Sequence, residues 1–256
     1  MIIAIICSKD DEASANIHSF LVDRIKDEMG KHQVKLYFED KDSIYLENID
    51  ERLDCDMIIF PTMHQSKSGV HSLSVHTQGN WGEAVLGGSE KNLGISPANW
   101  LKAGMKILEV KAEELHYEVI QEVTHHGPDL NVPSFFIEIG SSISEWQNKK
   151  AGELIANTIV ELLEMKIPEC KTAVGIGGLH HMPSFKKIIL GDEIAIGHCC
   201  PKYNLENLDK EMLAQAMNKT VPKAELVIVD WKGVGSYKEK IKEMLEGILW
   251  KKTKDF

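Results

Sequence analysis

The sequence predicts an α/β protein in which a mixed, largely parallel sheet is flanked by helices. Short apolar, β-branched stretches alternate with amphipathic helical patterns along the whole chain, as in folds built from β-α-β units. No internal repeat, low-complexity tract or linker interrupts this alternation. The 256 residues, of which 43% are hydrophobic, suffice to bury a core. We therefore predict a single compact domain over residues 1–256.

The first 62 residues predict an N-terminal β-α-β-β lobe within that domain. The apolar run at residues 2–6 is typical of a strand buried on both faces. A helical pattern over about residues 12–29 repeats apolar side chains four residues apart. The stretches QVKLYF and DMIIFP then supply two further strands.

Strands and capped helices alternate over the rest of the chain. The predicted strands include SLSVHT, YEVIQEVT, SFFIEIG, TAVGIGG, EIAIGHCC and AELVIVD. Three capping patterns predict helix starts, namely Ser96-Pro97 for a helix to about His116, Ser144 with Gln147 for one to about Met165, and Ser236 with Glu239 for one to about Trp250.

Composition predicts a cytoplasmic protein without a membrane segment. The five cysteines form an odd set with no CxxC pair, which favours reduced thiols. No apolar run approaches the roughly 18 residues of a membrane span. The opening MIIAIIC has neither a basic leader nor a cleavage site, so we interpret it as a strand. The net charge of −10 argues mildly against nucleic acid as a partner.

Histidines concentrate at the predicted strand ends, where loops of α/β folds carry their chemistry. Each could be an ordinary loop histidine, but six of the eleven in one context favour a shared polar site. The six are His76, His125, His126, His180, His181 and His198.

Glu138 is the carboxylate that stands out, because it alternates with Ile137 and Ile139 in a predicted strand. It could face outward or form a structural ion pair, or it could be a desolvated base or orient a histidine. Together with histidines on converging loops it could also form a zinc site with an open position. The glycine turn at residues 175–178 is not a dinucleotide fingerprint, but its amides could approach an anion or oxyanion.

Five ordered motifs make the sequence recognisable, and they are SVHTQGNW, EVTHHGP, FFIEIGS, GIGGLHHMP and IGHCCPKY. Together they closely resemble the D-aminoacyl-tRNA deacylase family of the archaeal and plant type, from the first strand to about residue 232. The first motif has Gln78 where the family more often has Pro. Leu179, His181 and Met182 depart from the usual GGGHYAP of the fourth motif, which favours His180 over His181 as the catalytic histidine.

The resemblance implies an enzyme that hydrolyses the ester between a D-amino acid and the 3′ end of tRNA. It also implies a fold similar to peptidyl-tRNA hydrolase and phosphorylase-type proteins, and zinc as cofactor. Two alternatives stay open: a zinc-dependent peptidase- or phosphorylase-like enzyme acting on a small metabolite, and a tRNA-end binding module without chemistry. No obligate protein partner is inferred.

The predicted site assigns roles to named residues. His126 or Glu138 is expected to take a proton from the attacking water, and His125 and His180 to position the aminoacyl-adenosine or hold a metal. The predicted catalytic residues are His126, Glu138 and His180. The predicted metal ligands are His125, His126, His180 and Glu138. The predicted substrate-binding residues are His76, Asn80, His125, Gly177, Gly178, Lys186 and Lys187.

A basic rim around the pocket is expected to bind the tRNA end. Lys149-Lys150 and Lys186-Lys187 lie near the histidine pairs in sequence, although such lysines are more often simply solvated. Tryptophans could stack on a base, although core packing is the commoner role. The candidate platforms are Trp81, Trp100 and Trp146.

Overall fold

The computed structural model describes residues 1–67, 69–191 and 193–256. Its strands are β1 (Ile2–Ser8), β2 (Glu28–Met29), β3 (His32–Glu39), β4 (Met57–Gln65), β5 (Ser72–His76), β6 (Ser96–Pro97), β7 (Glu118–Gln121), β8 (Ser134–Ser141), β9 (Lys171–Ile176), β10 (Ile194–Cys200), β11 (Thr220–Val221), β12 (Leu226–Val229) and β13 (Trp250–Lys252). Its α-helices are α1 (Glu12–Leu21), α2 (Ala98–Lys111), α3 (Ile143–Trp146), α4 (Lys149–Glu164), α5 (Lys186–Leu190), α6 (Lys210–Lys219) and α7 (Lys238–Met244).

The larger sheet has the strand order β2-β3-β1-β4-β8-β5-β7. Most neighbours are parallel, and the antiparallel pairs are β2 with β3 and β5 with β8. A second sheet, β10-β9-β12-β13, is parallel throughout, and β6 pairs with β11 in a short ribbon. The predicted α/β class with a mixed, largely parallel sheet is thus confirmed.

The two larger sheets share a hydrophobic core. Ile5 and Ile59 from the larger sheet belong to the same buried cluster as Ile196 and Ile228 from the second sheet. Helix α2 contacts both sheets, through β5 and β7 on one side and β10 on the other. The predicted N-terminal lobe supplies β1, α1, β2, β3 and β4, and β4 pairs directly with β8 from the middle of the chain. This shared core supports, as a proposal, the single domain over residues 1–256.

Two predicted helices begin or end elsewhere because tertiary pairing takes over. Helix α1 stops at Leu21, and Glu28–Met29 instead pairs with β3 across a turn at Gly30, whose φ of +57° suits glycine. Ser96–Pro97 is not a helix start but a strand paired with Thr220–Val221, and α2 begins at Ala98.

The other predicted caps are also displaced. The capping box joins Ser142 to Glu145, and Asn148 opens α4 by accepting hydrogen bonds from two backbone amides. The last helix ends at Met244, so Trp250 lies on β13. Gly247, with a φ of +77°, lies where the chain leaves that helix. Within the described residues, no helix has the length and apolar character needed to cross a membrane.

Candidate active site at the strand ends

Glu138 lies in the centre of the larger sheet, on β8 between β4 and β5. The strand register places Thr62 and Ser74 directly opposite it on the two neighbouring strands. The Thr62 hydroxyl donates to Glu138 Oε1 at 2.9 Å, and the Ser74 hydroxyl donates to Oε2 at 3.4 Å. Because both faces of β8 are buried, Glu138 is only 3% exposed. It is therefore a desolvated carboxylate and not an outward-facing one.

His64 connects Glu138 to a second buried carboxylate, Glu122. His64 lies two residues beyond Thr62, so its side chain points to the same face of β4. Its Nδ1 is 3.1 Å from Glu122 Oε1 and 3.6 Å from Glu138 Oε2, as an ion-pair contact between buried groups. Glu122 directly follows β7, the strand next to β5 in the sheet.

These contacts shift the histidine pKa values in opposite directions. Burial alone would lower the pKa of His64, but Glu122 and Glu138 outweigh it and raise that pKa to about 10. The pKa of His76 is raised in the same way, with Glu138 overcoming burial. In turn, the histidines hold the pKa of both carboxyl groups low despite burial.

His125 and His126 behave differently, because burial dominates and lowers their pKa. That of His126 falls to about 4, so its ring is neutral near pH 7. Burial, reinforced by neighbouring histidines, lowers the pKa of His125 well below its usual value. The HHGP turn that carries both is fixed by the Gly79 amide, which donates to the carbonyls of His125 and His126.

Three neighbouring histidines each place the same ring nitrogen against a backbone carbonyl. His76, His125 and His126 each place Nδ1 near a backbone carbonyl, at 3.3, 2.9 and 2.5 Å respectively. Since a carbonyl only accepts, Nδ1 carries a proton in each ring. In His125 and His126, whose pKa values burial lowers, Nε2 offers a lone pair. The rings of His76 and His125 lie 4.3 Å apart, and those of His125 and His126 lie 4.4 Å apart.

His180 completes the cluster from the second sheet. Its Nε2 lies 2.8 Å from Glu122 Oε2, and its Nδ1 lies 2.9 Å from the Tyr203 hydroxyl. The chain reaches this position through Gly177 and Gly178, whose φ values of +91° and +85° favour glycine. A Cβ on Gly177 would approach the Val234 side chain to 2.8 Å.

Two adjoining cavities open onto the cluster. The larger, of about 830 Å³, is lined by His180, His181 and Tyr203 and also by Gly178, Lys202 and Tyr237. The smaller, of about 360 Å³, is lined by His125, His126 and Glu138. His64, Gln65 and His180 line both cavities. A substrate bound where the two cavities meet can therefore contact both neutral and charged histidines.

The predicted catalytic residues lie in this cluster, whereas other predicted residues lie outside it. Asn80 is buried and donates to the Gly87 and Ser89 carbonyls, which fixes a loop. Lys186 pairs with Glu109 at 3.0 Å, and Lys187 donates to the Phe256 carbonyl. Neither lysine lines the two cavities. A role for these two lysines and Asn80 in substrate binding stays a prediction.

The tryptophans proposed as stacking platforms belong to the packed interior. Trp81 is 1% exposed and Trp100 is 8% exposed. Trp146 is partly buried, and its indole N–H donates to the His64 carbonyl. His198 is also buried, and burial lowers its pKa to about 3. Cys199 and Cys200 are buried thiols whose pKa values burial raises, so they remain protonated.

Sequence reasoning missed His64, Glu122 and Tyr203. The predicted strand DMIIFP was ended at Pro61, but β4 continues to Gln65, which makes His64 another strand-end histidine. Glu122 directly follows β7, but the predicted strand YEVIQEVT continues past it. The sequence therefore does not place Glu122 at a strand end. Tyr203 is the last residue of the IGHCCPKY motif, but its position there does not indicate a role in the site.

The donor set fits a zinc ion. Three groups of possible ligand atoms lie within 4.8 Å of one another in the described chain, and they are His76-His125-His126, His64-Glu122-His180 and His76-Glu122-Glu138. The four predicted ligands are distributed over these groups. The buried Nε2 atoms of His64 and His76 have no hydrogen-bond partner among the described residues. Ligating histidines commonly donate the other ring N–H to a carbonyl, as His125 and His126 do.

Comparison with known proteins agrees with the motif resemblance. Residues 51–251 match the family model described as D-aminoacyl-tRNA deacylase. Proteins named D-aminoacyl-tRNA deacylase from Thermococcus kodakarensis and Pyrococcus abyssi are 37% and 36% identical to this chain, with 90% of each chain covered. The one from Methanosarcina mazei is 37% identical over 95% of this chain and 89% of its own.

A solved structure has the same fold. The crystal structure of AF0625, a conserved protein of unknown function, matches with a TM-score of 0.89 at 30% identity, covering 99% of this chain and 96% of the other. The fold, the ordered motifs and the matched length lead to one conclusion. This chain belongs to the D-aminoacyl-tRNA deacylase family.

Proposed function

We propose that this protein hydrolyses D-aminoacyl-tRNA in the cytoplasm, which removes D-amino acids from tRNA before they reach protein synthesis. Water adds to the ester carbonyl, the bond to the 3′-terminal ribose oxygen breaks, and free D-amino acid and tRNA with a restored hydroxyl result. Family membership supports the substrate. The observation that carries the chemistry is the buried cluster of histidines and two carboxylates that opens into a cavity.

The proposed base is His126, with Glu138 in a supporting role. His126 is neutral near pH 7 and its Nδ1 proton is directed to the Gly127 carbonyl, which leaves Nε2 to accept a proton from water. The oxygens of Glu138 already accept from Thr62 and Ser74 and face His64 and His76. Glu138 therefore stabilises positive charge on the neighbouring rings while water is activated.

The larger cavity suits the aminoacyl-adenosine end of the substrate. Its volume of about 830 Å³ falls within the range of small-molecule sites. Tyr203, 60% exposed, presents a ring beside His180 on which a base can stack. Of the predicted glycine amides, Gly177 N–H already donates to the Cys200 carbonyl, whereas Gly178 lines the cavity. We assign oxyanion contact to the Gly178 side of the turn.

Deacylation of matched substrates tests the function. The protein is incubated separately with D-tyrosyl-tRNA and L-tyrosyl-tRNA, and release of the amino acid is followed. We expect release from the D-ester and protection of the L-ester. Release from neither ester would overturn the proposed reaction, and equal release from both would remove the claim of chiral selection.

We also propose zinc as the cofactor, held by His64, Glu122 and His180, a set that leaves Nε2 of His126 free to act as the base. A bound zinc ion supplies Lewis acidity and lowers the pKa of coordinated water to about 7. The possible ligand atoms of these three residues lie within 4.8 Å of one another, and the buried Nε2 of His64 has no hydrogen-bond partner among the described residues, which supports this assignment.

Removal and return of the metal test that assignment. Dialysis against a chelator should abolish deacylation, and added zinc should restore it in proportion to metal bound by elemental analysis. Full activity of protein shown by that analysis to contain no metal would refute the zinc proposal. It would leave the histidines as proton-transfer and binding groups.

A further inference from the structure

The four strands of the second sheet end at one common edge. They are parallel, so the loops that follow them lie side by side. His180 follows β9, Tyr203 follows β10, and residues 230–237 follow β12, while β13 ends at Lys252. Adjacent strands lie about 4.8 Å apart, so β13 lies two strand spacings, about 10 Å, from β9.

A surface of aromatic and basic side chains occupies the β13 end of this edge. We name it the tryptophan–lysine patch, consisting of Trp231, Trp250, Lys238, Lys242 and Lys252. The two indole rings stack with centroids 5.7 Å apart. The ammonium groups of Lys238, Lys242 and Lys252 lie 5.8, 5.8 and 4.9 Å from the Trp231 ring centroid. Three cations therefore surround one indole ring.

The patch reverses the charge of the chain locally. Residues 231–256 contain seven lysines and four acidic residues, so this segment has a net charge of +3. Since the whole chain has a net charge of −10, residues 1–230 have a net charge of −13. In the parts of the chain that the structure describes, Lys242 pairs with Glu239, whereas no ion pair to a carboxylate involves Lys238 or Lys252. This segment is therefore a local excess of positive charge on an acidic chain, and such an excess attracts a polyanion.

Consecutive residues of the chain connect the patch to the larger cavity. Tyr237 lines that cavity, and the next residue, Lys238, belongs to the patch. Lys202 and Tyr203 lie at the other side of the same cavity. A single-stranded nucleic acid whose last nucleotide enters the cavity can therefore run across Tyr237 to Trp231 and the lysines of the patch.

We propose that the tryptophan–lysine patch binds the acceptor arm of tRNA while its 3′ end occupies the cavity. This inference rests on the proposed deacylase function. Lys238, Lys242 and Lys252 contact backbone phosphates, and the half-buried rings of Trp231 and Trp250 pack through their accessible parts against a sugar or base. Such contacts orient the arm without reading its sequence.

Paired lysine variants test the patch. The double variant Lys238→Ala, Lys252→Ala should raise KM for D-tyrosyl-tRNA roughly 10-fold with kcat unchanged, and should reduce the slope of log KM against log salt by about 1 for each lysine removed. Hydrolysis of D-tyrosyl-adenosine should be unchanged, because that fragment ends inside the cavity. The matched control is Lys26→Ala, Lys31→Ala, two exposed lysines next to β2, which should leave KM unchanged.

Direct binding separates this inference from the function on which it rests. Fluorescence titration with uncharged tRNA should show weakened affinity for the patch variant and not for the control, whether or not the ester is cleaved. An unchanged KM and unchanged titration would refute the patch. An equal loss on D-tyrosyl-adenosine would likewise refute it, since the lysines would then act through the site. Failure of the unaltered protein to cleave D-tyrosyl-tRNA would refute the function alone.

Discussion

Two buried glutamates determine how the histidines of this site behave. His64 touches both carboxylates and has a pKa raised to about 10, whereas His126 has a pKa lowered to about 4 by burial. Near pH 7, His64 is therefore positively charged and His126 is neutral, although both lie in one cluster. Pairs of titratable groups driven apart in this way are a recurrent feature of acid–base sites.

Replacement of Glu138 by glutamine should lower turnover by about 10²–10⁴-fold, because the charge that supports His64 and His76 disappears. His126→Ala should cause a loss in the same range by removing the proposed base. Single-turnover deacylation of D-tyrosyl-tRNA measures both. The control is Glu145→Gln, since Glu145 is equally a buried glutamate but caps α3. Rates of the Glu138 and His126 variants equal to that of the unaltered protein would place the chemistry elsewhere.

The sequence predicted part of this residue-level picture. His126, Glu138 and His180 were identifiable because strand-end histidines and an apolar-flanked carboxylate are local patterns. The pairing of His64 with Glu122 was not, since 58 positions separate them in the sequence and the sheet order that unites them is not a local property. Ligand sets that span three or four strands require the register, which sequence periodicity alone does not supply.

At the scale of elements, strand positions were predicted better than helix boundaries. Apolar runs such as residues 2–6 specify buried strands through their own composition. Segments 22–29 and 96–97 depart from prediction because pairing with another strand outweighs local propensity, which is worth at most about 1 kcal/mol per residue for residues other than proline.

Asp11 and Asp209 both cap helices, but the pKa of Asp11 is raised and that of Asp209 is lowered. Their contributions to stability should therefore depend differently on pH. Burial raises the pKa of Asp11 to about 7 from its usual 3.8, although Ser14 and Met63 amides donate to it. A raised carboxyl pKa contributes stability below pH 4 that is lost as pH rises towards 7. Asp11→Asn should remove this dependence. The difference in unfolding free energy between the variant and the unaltered protein should therefore change by up to about 1.4 kcal/mol per pH unit over that window.

Asp209 provides the matched control for Asp11. It caps α6 by accepting from the Met212 amide, which lowers its pKa. Its contribution to stability is present above pH 4 and is lost only at lower pH. Urea unfolding of Asp209→Asn between pH 4 and 7 should therefore run parallel to that of the unaltered protein. If the unfolding free energies of Asp11→Asn and the unaltered protein differ by the same amount at every pH from 4 to 7, the raised pKa of Asp11 is contradicted.

At the scale of the whole molecule, the net negative charge of the chain concealed a basic segment at residues 231–256. The net charge of −10 suggested weak affinity for nucleic acid, but residues 231–256 carry +3 at the edge that holds the larger cavity. The sequence showed the C-terminal lysines without revealing that the fold stacks Trp231 and Trp250 beneath them. Charge therefore has to be placed on the fold before it argues for or against a partner.

The shared core predicts that both larger sheets unfold together. Ile5 and Ile228 lie in different sheets but in one buried cluster, and Ile241 lies in the neighbouring cluster. Each Ile→Val change should cost about 0.5–1.5 kcal/mol. In urea titrations followed by near- and far-ultraviolet circular dichroism, each variant should shift one common transition. Two transitions, with Ile5→Val moving one and Ile228→Val the other, would divide the chain into two domains and contradict the single domain over residues 1–256.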